Sequence, residues 1–168
     1  MNDNKHQTPR DSQLVMRELV MPNHTNPQNT IFGGIVMSWI DLAAAMCATR
    51  HAKAQVVTAH IDSIDFLHPV RVGHHVIISA SLNYVGKTSM EVGVKVEAED
   101  PLTGVKRKTA RAYLTFVALD EFSRPITVPP LSLETEDEKR RFENAKQRVK
   151  SRKEFLQKIK SNPDSKSS

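Results

Sequence analysis

The segment from Ile35 to His51 limits the fold more than any other part of the sequence. Its apolar residues recur at helical spacing, and no Pro or Gly interrupts them, so the pattern predicts a long α-helix. These apolar residues surround nearly the whole helix and include Trp39, Leu42 and Met46. A helix that is apolar on almost every side has to be covered on almost every side. We therefore expect this helix to lie at the centre of the fold.

The sequence after this helix alternates between apolar and polar side chains, which is the period of a β-strand. Met90–Glu99 is the clearest case, and one face of such a strand packs on a core while the other meets water. A strand, a long helix and four antiparallel strands predict an α+β fold, in which one curved antiparallel sheet wraps around the central helix. The other predicted strands are 14–21, 56–66, 76–84 and 110–118, with a tight hairpin at Gly86–Lys87.

The two ends of the chain differ from this patterned middle. Residues 1–13 carry no periodic apolar pattern, and we expect them to form a disordered lead-in to a domain that spans residues 14–130. Residues 131–168 form a charged tail, in which Thr135 and Glu138 make the capping box of a helix start. The apolar stripe of that helix is narrow, which predicts a C-terminal helix on the surface of the domain.

The positive charge of the chain is concentrated in this tail. Residues 134–168 hold 11 Lys and Arg against 7 Asp and Glu, which accounts for most of the net charge of +5. The rest of the chain therefore lacks the basic surface that nucleic-acid binding needs, and we expect no nucleic-acid partner. RNA and anionic membranes are alternative partners of the tail, although its interleaved acids favour a solvated charged helix.

Several other classes of protein are excluded by what the sequence lacks. Cys47 is the only cysteine, so no intramolecular disulfide can form. No apolar run approaches the roughly 20 residues that span a bilayer, and no secretion signal is visible, so we expect a cytoplasmic protein without a membrane span. The histidines show no zinc-type spacing, and the phosphate-binding, dinucleotide-binding and serine-hydrolase motifs are missing. We expect neither a metal nor a cofactor.

Asp41 is the charged residue that the predicted helix explains least well. Its neighbours three and four positions away are Met37, Ser38, Ala44 and Ala45, so no basic side chain of the same helix can pair with it. A carboxylate in apolar surroundings is costly unless something compensates for it. Asp41 is therefore either a functional carboxylate, with room for a substrate beside the two alanines, or a structural one that faces water or pairs with another element.

The approach to the helix contains further candidates. Gly33 and Gly34 lie where the loop becomes the helix, and glycine there lets a ligand reach the free backbone N–H groups at the positive helix end. A tight turn that needs positive φ explains the two glycines as well. Asn26, in the preceding loop, is either a functional residue or an ordinary turn residue. Cys47 has no apparent catalytic partner, and we interpret it as buried packing.

The segment from Asn26 to Asp41 resembles the signature of hotdog-fold acyl-CoA thioesterases of the cytosolic acyl-CoA hydrolase family. Further segments match that family in the expected order, namely 49–51, 56–58, 61–66, 69–70, 86–92 and 115–120. The resemblance implies the hotdog fold, which is the same sheet around a helix that the periodicities predict. It also implies hydrolysis of acyl-CoA to a free fatty acid and CoA.

In that family the active site lies between two subunits. The resemblance implies that Asn26 of one chain faces Asp41 of another, and that Asp41 activates water or attacks the thioester carbonyl directly. The backbone N–H of Gly34 would polarise that carbonyl, and Asn26 would hold water or substrate. These roles suit the reaction, because thioester hydrolysis needs a base near the carbonyl and donors for the oxyanion. The family also implies a homodimer, commonly assembled further into a trimer of dimers.

Coenzyme A is part of the substrate and of the product, and the resemblance implies a set of residues that bind it. The turn at residues 86–89 falls where related enzymes hold the CoA phosphates. Lys87 replaces the usual Arg there, so it keeps the charge without the planar fork. The implied CoA contacts are Gly33, Val57, Thr58, Gly86, Lys87, Thr88 and Ser89.

Two other functions fit the same fold. Hotdog-fold hydratases and dehydratases typically use a His and an acidic residue for proton transfer, but the loop position of that His is Asn26 here, which exchanges no proton near neutral pH. The resemblance therefore favours hydrolysis. A non-catalytic acyl-CoA-binding sensor is the other alternative. The pair of Asn26 and Asp41, with no recognisable DNA-binding module, disfavours a sensor.

Overall fold

The structure of the chain is a computed structural model that describes residues 7–161. The elements are α1 (Pro9–Ser12), β1 (Leu14–Leu19), α2 (Gly33–Ala52), β2 (Gln55–Phe66), β3 (His75–Val85), β4 (Ser89–Glu99), β5 (Lys106–Leu119) and α3 (Glu136–Ser161). A turn of 3-10 helix, Pro22–His24, lies between β1 and α2. The predicted strands and both long helices are confirmed, with bounds that differ from the prediction by a few residues.

The five strands form one antiparallel sheet in the order β1-β3-β4-β5-β2. The inner face of this sheet packs against α2. Alternate residues of β4, from Met90 to Ala98, are buried there with Ile40, Ala43 and Cys47 of the helix. This confirms the predicted α+β fold, in which a curved antiparallel sheet wraps around a long central helix.

The C-terminal end of α2 is closed by buried contacts. Lys53 ends the helix in the left-handed conformation, and its N–H donates to the Thr49 carbonyl oxygen at 2.8 Å. The buried His51 ring meets the Pro129 carbonyl oxygen at 2.8 Å through Nε2, which therefore carries the proton. Burial lowers the pKa of His51 and keeps its ring neutral. Burial also raises the pKa of the Cys47 thiol to about 11, so its interpretation as packing is confirmed.

The prediction of a disordered lead-in is wrong for residues 7–13, while residues 1–6 lie outside the described part of the chain. The segment forms α1, and its last residue, Ser12, is fully buried. Arg50 of α2 donates to the backbone carbonyl oxygens of Asp11 and Gln13, at 3.2 and 3.1 Å. The donor and acceptor residues are 39 and 37 positions apart in the sequence. Apolar periodicity describes only short stretches of chain, so it does not predict these contacts.

α3 packs across the outer face of the sheet, which is the face opposite α2. Its start is the predicted capping box, with Glu138 N–H donating to Thr135 Oγ1 at 3.2 Å and Thr135 N–H to Glu138 Oε2 at 2.9 Å. Ala145 is fully buried, and the rings of Phe142 and Tyr84 have centroids 5.0 Å apart. The predicted C-terminal surface helix is thus confirmed, with its narrow apolar stripe packed on the sheet and most of its other residues exposed.

Two arginines of α3 pair with acids of the sheet. Arg148 donates to both carboxylate oxygens of Glu91, at 2.6 and 3.2 Å, and the Glu91 side chain is 0% exposed. Arg152 donates to both carboxylate oxygens of Asp62, at 2.6 and 2.7 Å. The strand alternation places Glu91 toward water, and the sequence contains no local signal for a partner 57 positions away.

A β-bulge makes room for this arrangement on the outer face. The register of β3 and β4 shifts between Leu82 and Tyr84, so Tyr84 lies on the outer face, although simple alternation places it on the core face. The Asn83 side chain is thereby able to donate to Glu91 at 3.2 Å. Gly93 of β4 lies next to the Asn83 side chain, and a Cβ on it would be only 2.5 Å from the Asn83 amide nitrogen. The absence of a side chain at Gly93 is thus required for this buried contact.

The single chain covers only one side of α2. Residues of α2 that face the sheet are fully buried, whereas Leu42 on the far side is 51% exposed and Met37 is 43% exposed. Because the helix is apolar nearly all round, its exposed side needs a cover that the sheet of the single chain does not provide. Among the described residues, no helix combines the length and the apolar character needed to cross a membrane.

Arg148→Ala should lower the free energy of unfolding by about 3–5 kcal/mol, because it leaves the buried Glu91 carboxylate without its charge partner. Urea titration at one fixed protein concentration measures this loss. The matched control is Arg140→Ala, whose partner Asp137 is exposed on the same helix, and it should cost less than about 1 kcal/mol. Similar losses in the two variants would contradict the importance of the buried pair.

Candidate active site

The loop before α2 is organised by the side chain of Asn26. Its Oδ1 accepts hydrogen bonds from the backbone N–H groups of Gln28 and Thr30, at 3.0 and 3.2 Å, and its Nδ2 donates to Thr30 Oγ1 at 3.1 Å. Asn29 has a φ of 57°, which asparagine tolerates. Asn26 therefore shapes its own loop. One of its two amide hydrogens has no acceptor among residues 7–161.

Backbone and ring contacts attach this loop to α2. The Phe32 N–H donates to the His24 carbonyl oxygen, and the Ile31 N–H donates to the Val70 carbonyl oxygen, both at 2.8 Å. The His24 ring meets Trp39 of α2 edge to face, with centroids 5.3 Å apart. These contacts hold the Asn26 loop in a defined position relative to the first turns of α2.

The first turn of α2 presents free backbone donors beside two aromatic rings. Ile35 is the first residue whose N–H bonds into the helix, to the Phe32 carbonyl oxygen at 2.9 Å. The N–H groups of Gly33 and Gly34 precede it and have no acceptor among the described residues. A Cβ on Gly34 would lie 2.4 Å from the Phe32 ring, and one on Gly33 would lie 3.5 Å from the Phe66 ring. Neither glycine has positive φ, so the explanation by a strained turn is wrong.

Asp41 lies two turns further along α2 and is partly exposed. Thr58 of β2 donates to its Oδ1 at 2.8 Å. Within the described part of the chain, no donor reaches Oδ2, and no Lys, Arg or His forms an ion pair with this carboxylate. The partner of Asp41 therefore comes from another element and is neutral, and one carboxylate oxygen stays open.

Three contributions to this site escaped the sequence analysis. Thr58 was implied as a CoA contact, yet its hydroxyl is bonded to Asp41. The rings of Phe32 and Phe66 flank the glycines, and both are about half exposed. The sequence could have indicated Phe32, because it directly precedes the glycine pair in the matched segment. Phe66 and Thr58 are remote in sequence and reach the helix only because β2 runs beside it.

The turn between β3 and β4, implied as a CoA site, lies at the same end of the sheet as Val57. Ser89 pairs with Val117 of β5, which pairs with Val57 of β2. Adjacent strands are about 4.8 Å apart, so Ser89 and Val57 are about 10 Å apart. The Lys87 side chain is exposed, and its carbonyl oxygen accepts a hydrogen bond from the Val128 N–H at 3.0 Å. The structure thus brings the turn, Val57 and Thr58 to one end of the sheet, whereas Gly33 lies beside Phe66 at the other end of β2.

The structure does not join the implied catalytic pair within one chain. Asn26 bonds within its loop and Asp41 bonds to β2, and among residues 7–161 no hydrogen bond links the two side chains. In the same range, no group of three or more His, Cys, Asp and Glu side chains is arranged to hold a metal ion. The chain therefore offers a carboxylate, free backbone donors and an amide as its chemical groups.

Known proteins share both the sequence and the architecture of this chain. The model of the thioesterase superfamily matches residues 28–105, a range that begins in the Asn26 loop and includes Asp41. The uncharacterized acyl-CoA thioester hydrolase YkhA of Bacillus subtilis is 42% identical over 144 residues. The matched region is 86% of this chain and 84% of that protein.

Solved structures extend this similarity to three dimensions. An apo-hexameric acyl-CoA thioesterase matches with a TM-score of 0.88 at 40% identity, over 90% of this chain and 97% of that one. An acyl-CoA hydrolase from Staphylococcus aureus, in complex with butyryl coenzyme A, coenzyme A and coenzyme A disulfide, matches with a TM-score of 0.86 at 39% identity, over 93% of this chain and 95% of that one. Variants of the S. aureus enzyme with an aspartate, an asparagine or a threonine changed to alanine have also been solved.

The similarity covers nearly all of the described chain, at identities where a shared fold is accompanied by shared ancestry. The family predicted from the segment between Asn26 and Asp41 is thereby confirmed, and the chain belongs to the thioesterase superfamily of hotdog-fold proteins.

Proposed function

We propose that this chain hydrolyses acyl-CoA thioesters to a free fatty acid and CoA. The placement of Asp41 carries the proposal. Its carboxylate has one neutral hydrogen bond, from Thr58 at 2.8 Å, and it lies on the helix whose first turn leaves the Gly34 N–H free. A base and a set of oxyanion donors are the two requirements of thioester hydrolysis.

The alanine variants of the S. aureus enzyme support this choice of residues. The asparagine and the aspartate that they replace are 15 positions apart in that chain, and the threonine follows the aspartate by 17 positions. Asn26, Asp41 and Thr58 have the same residue types in the same order with the same two separations. We therefore propose that these three residues correspond to the ones changed in the S. aureus enzyme.

Asp41 acts on the thioester carbonyl through its open oxygen, Oδ2. As a base, it takes a proton from water while the water oxygen attacks the carbonyl carbon; as a nucleophile, it attacks that carbon itself, and water then releases the acyl group. In both routes the carbon–sulfur bond breaks, and the CoA thiolate leaves and is protonated. The N–H of Gly34 of the partner subunit, at the helix start that follows its Asn26 loop, donates to the carbonyl oxygen as negative charge develops there. Thr58 keeps the carboxylate in position.

A complete site requires a second copy of the chain. β2 is an edge strand of 12 residues, so one row of its backbone groups is open for pairing, and its exposed side chains include Val57 and Ile61. Pairing of β2 with the β2 of a second copy extends the sheet and covers the open side of α2. Asn26 of the partner subunit then supplies its free amide hydrogen near Asp41. The hexameric relative supports a trimer of such dimers.

CoA binds at the end of the sheet that contains the turn between β3 and β4. The Lys87 ammonium attracts the phosphates, and the hydroxyls of Thr88 and Ser89 and the backbone of Gly86 line the turn. Val57 lies at the same end of the sheet as this turn, whereas Gly33 lies at the start of α2 beside Phe66. Hydrolysis needs no metal or added cofactor in this scheme, because Asp41 and the helix start supply the base and the donors. We place the reaction in the cytoplasm, with no nucleic-acid partner.

Asp41→Asn should lower turnover about 10²–10⁴-fold, because it removes the base while it keeps the size and shape of the side chain. Binding of a non-hydrolysable acyl-CoA analogue should survive. Thiol release, analogue binding and melting temperature are measured on one preparation. The matched control is Asp65→Asn, an exposed β2 carboxylate paired with Arg111, which should retain activity. Wild-type protein that binds the analogue but releases no thiol from any acyl-CoA would make the chain a sensor and refute the proposal.

Thr58→Val should lower kcat about tenfold, because the Asp41 carboxylate loses the hydrogen bond that orients it. Thr58→Ser keeps the hydroxyl and should restore most of the rate. Steady-state kinetics with one acyl-CoA separate kcat from KM. A rise in KM with kcat unchanged would mean that Thr58 acts on CoA rather than on Asp41.

Mixed dimers test whether the site is shared between chains. Asp41→Asn chains combined with Asn26→Ala chains should recover one working site per dimer, because one of the two sites then contains both wild-type residues. Turnover is measured on heterodimers isolated with two different affinity tags, and each homodimeric variant provides the baseline. Heterodimers no more active than the baselines would place Asn26 and Asp41 in the same chain's site.

A further inference from the structure

The last turns of α3 extend past the edge of the sheet on which the helix lies. Phe142 meets Tyr84 of β3, Arg148 pairs with Glu91 of β4, and Arg152 pairs with Asp62 of β2. The helix therefore crosses the sheet from β3 to β2, and β2 is its edge strand. The nine residues that follow Arg152 add about 13 Å of helix at 1.5 Å per residue. This length equals between two and three strand spacings.

The sheet-facing stripe of α3 continues into this overhang. Ala145, Val149 and Arg152 follow one another at spacings of four and three residues, and Phe155 and Leu156 continue them at three and four. Ala145 is 0% exposed because the sheet lies beneath it, whereas Phe155 is 62% exposed and Leu156 is 46% exposed. Beyond Arg152, the side of the helix that faces the sheet is thus apolar, but the sheet of its own chain ends before the helix does.

We propose that residues 153–161 of α3 clasp the partner subunit, with Phe155 and Leu156 packed on the outer face of the partner's sheet beside its β2. This inference rests on the β2-paired dimer of the proposed function. Any strand that pairs with the open edge of β2 continues the sheet directly under the overhang. A second copy of this chain supplies such a strand. The outer face of its sheet then continues the outer face on which α3 packs. The same partner chain thus contacts both the last turns of α3 and the open edge of β2.

Photo-crosslinking tests the clasp directly. Phe155→p-benzoylphenylalanine places a crosslinker on the overhang of the full chain, and the native Cys47 thiol plays no part. After irradiation, a denaturing gel should show a covalent dimer, and peptide mapping should find the crosslink in β2, β5 or α3 of the second chain. Leu102→p-benzoylphenylalanine, at the 94% exposed β4–β5 turn, is the matched control and should give no crosslink to those elements.

A second variant tests the energy of the contact. Phe155→Glu combined with Leu156→Glu should speed subunit exchange between differently labelled chains about tenfold, because two acids replace the apolar contact. Leu102→Glu should leave the exchange rate unchanged. Far-UV circular dichroism checks that α3 stays helical, and thiol release at high protein concentration should remain within a few-fold of wild type.

The outcomes separate this inference from the proposed function. A wild-type dimer that gives no interchain crosslink, or crosslinks only at other elements, and whose exchange rate is the same in the double variant, overturns the clasp and leaves the shared site standing. A wild type that light scattering shows to be an active monomer overturns the shared site and the clasp together. An interchain crosslink to β2, β5 or α3 with faster exchange supports the clasp.

Discussion

The enclosure of α2 is the constraint on which the rest of this structure depends. Ile40, Ala43, Ala44 and Cys47 are all fully buried, and three of these side chains are small, so the sheet approaches the helix closely. One curved sheet covers one side of a cylinder and leaves the other open, and Leu42 is accordingly half exposed in the single chain. The apolar character of α2 therefore creates the fold and at the same time leaves it incomplete.

The candidate active site lies at the boundary between these two sides of α2. Asp41 follows the fully buried Ile40 by one residue, and a rotation of about 100° moves its carboxylate from the core to the flank beside β2. Thr58, on the edge strand, is close enough there to hold the carboxylate without neutralising it. A charged group at the open border of an apolar helix is accessible from outside the single chain.

The two faces of the sheet serve different purposes. The inner face is apolar and packs on α2, whereas the outer face contains charged pairs that are covered by α3. Asn83, Glu91 and Arg148 form one connected group there, and Gly93 gives it space. Burial of such a group is costly when a member is missing, so these contacts specify where α3 lies across the strands. The direction of α3 is what brings its last turns to the edge that β2 leaves open.

The sequence by itself determined the order of the elements, the central position of α2, the capping box at Thr135, and the family through the segment from Asn26 to Asp41. These features follow from apolar periodicity, local hydrogen bonding and adjacent residue types, all of which are contained in short stretches of chain. Only the tertiary structure decided that Thr58 is the partner of Asp41, that Arg148 neutralises Glu91, and that residues 7–13 pack against α2. Each of these contacts joins residues between 17 and 57 positions apart, and such pairs become neighbours only after strand register and helix direction are set.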